Sequence, residues 1–190
     1  MALLTNMTVY FRMHSNSIST KMLLPVSRCF ITVGEYSDGA VLAQRYLNVH
    51  SNDCRAWSIL IAAKYIMQSY GEALQAGTNA LRFGCEENLP AIGASALKVD
   101  RIDVVEKIVI PRMLAKKDSE PNKNDRMGLI AFLAYYGLNS TNEALFIKAL
   151  RDVKRNDLRD RSDLRHTIKD GCGLFKSRET EQICKQLIEN

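Results

Sequence analysis

A shift of 34 residues lays one part of this sequence over another. Tyr36 falls on Tyr70, Gly39 on Ala73, Leu42 on Ala76 and Leu47 on Leu81, while Asn48-Val49-His50 falls on Arg82-Phe83-Gly84. Self-similarity at a period of this length marks stacked supersecondary units, each burying its apolar face against the next. Inside each copy the apolar residues recur at helical spacing. Leu23, Val26, Ser27 and Phe30 mark a first helix, Gly34-Glu35-Tyr36 a turn, and Gly39, Leu42, Ala43, Tyr46 and Leu47 a second helix. The second copy runs from Ala56-Trp57-Ser58-Ile59-Leu60 to Ala80-Leu81-Arg82-Phe83, with a turn expected at Gln68-Ser69-Tyr70-Gly71. The expectation is an all-α chain of about ten helices without a sheet.

Within the second copy, Trp57-x-x-Leu60 followed by Ala73 and Ala80 resembles the tetratricopeptide repeat. Ile61 stands where that repeat carries a small residue, the aromatic Tyr65 comes one place late after Lys64, and Cys85 replaces the closing proline. The first copy supplies two of these features through Ser27 and Phe30. The resemblance implies a right-handed superhelical array of antiparallel helix pairs, a tetratricopeptide-like α-solenoid with terminal capping helices. Its concave surface would be lined by the first helix of each unit. On that geometry the partner-binding residues are Lys21, Leu24, Arg28 and Ile31 from the first unit and Arg55, Ser58, Ala62 and Tyr65 from the second. The carboxylate-clamp variety of this family uses Lys and Asn side chains on these faces. Arg28 and Arg55 are present but the asparagines are not, so binding of a chaperone tail is not supported.

Residues 1–19 read as an N-terminal helix that packs on the array or as an arm that forms a homodimer, with Leu3, Leu4, Met7, Tyr10 and Phe11 on one face. Helical repeats are expected over 20–156, as units 20–53 and 54–87, a degenerate unit 88–124 and a weak unit 125–156. Pro25 is expected in a first turn, where a missing N–H costs nothing. Pro111 should kink or end a helix near Ile110, and the polar run Ala115–Asn124 reads as a loop. Gly137 to Ser140 should turn the chain, with Thr141 capping the next helix. Residues 157–190 read as capping helices, with an Asp157–Arg161 pair and a break at Gly171-Cys172-Gly173.

Local catalytic signatures are absent from the sequence: it has no phosphate-cradling glycine loop, no HExxH and no GxSxG. His14, His50 and His166 lie far apart, and the five cysteines, Cys29, Cys54, Cys85, Cys172 and Cys184, include no pair at metal-ligand spacing. The reading is therefore no enzyme, no cofactor and no metal. An odd, scattered cysteine count points to reduced thiols, and with no apolar run of about 20 residues and no signal-peptide pattern the expected location is cytoplasmic. The net charge of +5 is spread along the chain, so nucleic acid is disfavoured as a partner. The expected function is a protein-interaction module, whether adaptor, chaperone or assembly factor, that holds a peptide or helical segment of another protein in its groove. Two alternatives are a chaperone of the type III secretion translocator kind and a regulatory or nucleic-acid-associated helical domain.

Overall fold

The chain is described by a computed structural model that covers residues 9–11, 13–14 and 17–188. It divides into two compact units, Met1–Val109 and Ile110–Asn190. Among the described residues every regular element is helical.

In the first unit the helices are α1 (Thr20–Thr32), α2 (Tyr36–Leu47), α3 (Cys54–Ile66), α4 (Tyr70–Arg82), α5 (Leu89–Lys98) and the short α6 (Ile102–Val104), followed by a π-helical segment, Val105–Val109. The two hairpins α1–α2 and α3–α4 start their helices 34 residues apart, at Thr20 and Cys54 and again at Tyr36 and Tyr70. The turns repeat as well. Gly34 ends α1 at φ 85°, and its counterpart Gln68 ends α3 at φ 60°. The turn of the second hairpin is thus confined to Met67–Ser69, and Tyr70-Gly71 already belongs to α4.

Each helix packs on its neighbour in sequence, and α1, α3 and α5 also touch one another in turn. Close approach within the first hairpin rests on two small residues. A Cβ on Gly39 would stand 2.6 Å from the Ile31 side chain, and the Ser27 hydroxyl donates to the Gly39 carbonyl at 2.7 Å. Leu23, Val26, Phe30 and Leu42 form the core between α1 and α2, with Phe11 and Ile18 packed against it. Part of the N-terminal stretch therefore packs on the first hairpin, while Leu3, Leu4 and Met7 lie outside the described residues. Trp57, 7% exposed, donates its indole N–H to the Ser51 carbonyl and stacks on Phe83.

The second unit holds α7 (Ile110–Ser119), α8 (Lys123–Asn139), α9 (Glu143–Leu150), a 3-10 turn (Arg155–Leu158), α10 (Ser162–Leu174) and α11 (Arg178–Leu187). Helix α8 packs on α7, α9 and α10, and α11 packs on α9 and α10. Gly137 faces the backbone of Phe146, and Gly171 faces its ring, so Phe146 sits fully buried between α8 and α10. Glu143 of α9 accepts from the Thr180 hydroxyl at 2.7 Å and from the Ser177 N–H, which ties α9 to the start of α11. Those hydrogen bonds, from Ser177 first and Thr180 next, hold its carboxyl below the ordinary glutamate value.

Several expectations are corrected. Pro25 lies inside α1 rather than in its first turn, on the exposed side where water can meet the carbonyl it leaves without a partner. Pro111 does not end the helix: the π-helical segment Val105–Val109 before it carries the chain past the donor that proline lacks. The run read as a loop over Ala115–Asn124 is helical to Ser119, because Lys117 buries its stem and its Nζ reaches Asp118, Asp152 and the Lys148 carbonyl. The turn after α8 begins only at Ser140, and Asn142, not Thr141, caps α9 by accepting from the Leu145 N–H. Helix α10 runs through Gly171-Cys172-Gly173, since Gly171 is demanded by the Phe146 ring. The expected Asp157–Arg161 pair does not form; Asp157 meets Lys123 and Arg161 meets Asp163.

The thiols are corrected too. Cys54 is joined to Cys85 and Cys172 to Cys184, which leaves Cys29 free. Antiparallel pairing is the cause. Two helices of 13 residues bring the start of α3 back beside the residues after α4, and the α10–α11 hairpin brings Cys172 opposite Cys184.

A candidate partner-binding cleft

Helices α1 and α3 run beside each other, and the second carries its own electrostatic clasp at its start. Asp53 caps α3 by accepting from the Arg55 N–H at 3.0 Å, and the Arg55 guanidinium folds back onto the same carboxylate at 2.9 and 3.2 Å. Tyr46 of α2 adds its hydroxyl at 3.1 Å. The guanidinium of Arg55, ahead of the other donors, draws the Asp53 carboxyl down to about 2, while burial and then the bond to Asp53 push the Tyr46 phenol up.

Between α1 and α3 lies a cleft of about 330 Å³. Leu24 and Arg28 contribute from α1, and Arg55, Ser58 and Ile59 from α3; Cys54 and Glu87 complete the lining at its disulfide-bearing edge. Leu24 and Ile59 make an apolar floor beside two guanidiniums. Arg55 is committed to Asp53, and among the described residues Arg28 has no ion-pair partner. Ser58 accepts from the amide of Asn88, the residue before α5, so its hydroxyl fastens α3 to the next helix.

Four of the eight residues expected on a binding face, Leu24, Arg28, Arg55 and Ser58, meet in this cleft. The other four do not line it. Ile31 packs against Gly39 inside the first hairpin. Tyr65 is half-buried with its ring edge-on to Tyr70, Ala62 is half-buried, and Lys21 is exposed. Cys54 and Glu87 were missing from the sequence reading. They could be anticipated only by laying out the α3–α4 hairpin first, which returns the chain after α4 to the head of α3.

A larger cleft of about 640 Å³ opens over α3 between α2 and α4. Its floor is Trp57 and Leu60, and its rim includes Arg45 and a Lys64–Glu72 ion pair. It joins no apolar floor to an uncompensated charge, so it offers less to a ligand than the cleft beside Arg28.

The helix pairs repeating at 34 residues, with first helices in mutual contact, decide the architecture. The fold is tetratricopeptide-like. One solved structure similar to this chain is that of YrrB, a tetratricopeptide repeat protein described as having an unusual peptide-binding site. The likeness covers 92% of this chain and 95% of that one at a TM-score of 0.54, with 13% sequence identity. No protein-family profile matches the sequence, and no curated protein does either. Among the described residues no helix is long and apolar enough to cross a membrane.

Proposed function

We propose that the chain is a non-enzymatic protein-interaction module whose first two helix pairs, residues 20–53 and 54–87, hold a segment of another protein in the cleft between α1 and α3. The segment is apolar with acidic flanks. The observation that carries this reading is the meeting of Leu24 and Ile59 with the guanidiniums of Arg28 and Arg55 in one cleft. An apolar anchor supplies affinity there, and the positive rim selects partners and speeds their approach. Adaptor, chaperone and assembly factor are all roles such a module can serve. The likeness to YrrB supports it as a fold that carries a peptide site in another protein. In the last third of the chain Arg151 and Arg161 pair with Glu179 and Asp163, which reduces the positive charge offered to nucleic acid there.

The test is selection from a random peptide library on the immobilised protein, followed by association kinetics of the selected peptides. Peptides with acidic flanks are expected, and Arg28→Glu should slow their association several-fold at low salt while leaving the helical spectrum intact. Peptides that lack acidic residues, or wild-type rates in a folded Arg28→Glu protein, would move the binding surface elsewhere. Tyr65→Ala should leave their release unchanged, because Tyr65 stands outside the cleft.

A further inference from the structure

We propose that the reduced protein binds a thiophilic divalent ion of the zinc type through Cys54, Cys85 and Glu87. The proposal goes beyond partner binding and does not depend on it.

The sulfurs of Cys54 and Cys85 and a carboxylate oxygen of Glu87 all lie within 4.8 Å of one another. Zinc holds thiolate sulfur at about 2.3 Å and carboxylate oxygen at about 2.0–2.2 Å, so donors that share one ion stand no more than about 4.6 Å apart. The three donors thus lie close to that limit, and small side-chain shifts, with separation of the two sulfurs, complete the site. Two thiolates with one carboxylate favour zinc over calcium or magnesium, which take oxygen donors. Cys85 is 3% exposed and lies behind the lining, while Cys54 and Glu87 line the cleft. Three protein donors leave a fourth position, open to water on the cleft side.

A helix N-terminus and two cations stand beside this anionic donor set. Cys54 is the first residue of α3, where the helix N-terminus stabilises an anion, and Arg28 and Arg55 line the same cleft. Those guanidiniums together with the ion offset the charge of the three donors and Asp53.

Disulfide and metal exclude each other. A phosphine reductant opens the Cys54–Cys85 bond: each sulfur takes up an electron and a proton, and the phosphine leaves as its oxide with oxygen from water. Binding of the ion then releases the two thiol protons. In a reducing compartment the pair is available to metal, and in an oxidising one it is a cross-link.

The experiment uses the full chain, reduced with phosphine under anaerobic conditions and titrated with zinc against a chromophoric chelator, then with cobalt as a spectroscopic probe. Cys172→Ser with Cys184→Ser provides the background, so that the second cysteine pair contributes nothing. A single ion per chain is expected, with the intense visible bands of tetrahedral cobalt and sulfur-to-cobalt charge transfer. Uptake should vanish in the oxidised protein and in Cys54→Ser. Glu87→Gln, a change at an exposed side chain that leaves the fold intact, should weaken binding at least about tenfold. No uptake by the reduced, folded protein would overturn the proposal. So would an affinity and cobalt spectrum unaltered in Glu87→Gln or in Cys54→Ser.

Discussion

Gln68 carries a backbone conformation that its repeat counterpart, Gly34, adopts without strain: φ is 60° at the first and 85° at the second. A side chain in the left-handed region costs about 1 kcal/mol relative to glycine. Gln68 is exposed and makes no packing contribution that glycine would forfeit. Gln68→Gly is therefore expected to stabilise the chain by up to about 0.5 kcal/mol, after allowance for the freer unfolded state. A lower urea midpoint in that variant would show that the turn is held by something other than its backbone. Asp53 acts through charge instead. With a folded value of about 2 against about 3.9 in an unfolded chain, it contributes stability that is full above the unfolded value and is lost as pH falls from about 4 towards 2. Asp53→Asn keeps an oxygen for the helix cap but loses the titration. Its urea midpoint should fall less than that of wild type between about pH 5 and pH 2. Identical acid profiles would remove Asp53 from the account.

At the level of elements, periodicity made the first two hairpins legible and local composition misled beyond them. Apolar spacing places α1 to α4 because each helix buries one face on a neighbour of its own kind. Glycine and proline were read as breaks, yet their meaning depends on what approaches them. Gly171 sits inside α10 because the Phe146 ring leaves no room for a Cβ, and Lys117 sits inside α7 because its charge is met by Asp118 and Asp152. Phe146 and Asp152 are each distant in sequence from the residue they explain. The cleft was half legible for the same reason. Helix faces follow from spacing, which found Leu24, Arg28, Arg55 and Ser58, whereas Ile31 was drawn into the hairpin by the absent side chain of Gly39. Helix α8 offers a controlled comparison. A Cβ at Gly137 would lie 2.8 Å from the Phe146 backbone nitrogen, while nothing lies within 4 Å of one at Gly128. Gly137→Ala should cost about 1–3 kcal/mol through overpacking, and Gly128→Ala should gain about 0.5–1 kcal/mol from helix propensity. Melting temperatures that move in the same direction for both would contradict this packing.

For the whole molecule, the division into Met1–Val109 and Ile110–Asn190 is matched by one disulfide in each part and by a single tryptophan, Trp57, in the first. Trp57 is buried within the first unit, between Ser51 and Phe83, so its fluorescence reports that unit alone, whereas far-ultraviolet dichroism reports both. The Cys172–Cys184 cross-link closes a short loop, with a separation of 12 residues. Chain-entropy arguments assign such a loop about 3 kcal/mol, a value that native-state strain and residual unfolded structure reduce in practice. Removing it with Cys172→Ser and Cys184→Ser should weaken the second unit and leave the first unchanged if each unit folds on its own core. The dichroism transition should then split or shift to lower urea, while the Trp57 transition holds its wild-type midpoint. A Trp57 midpoint that falls in step with the dichroism would mean that the two units unfold as one cooperative body, in which case the 34-residue array gains its stability from the whole chain rather than from its own hairpins.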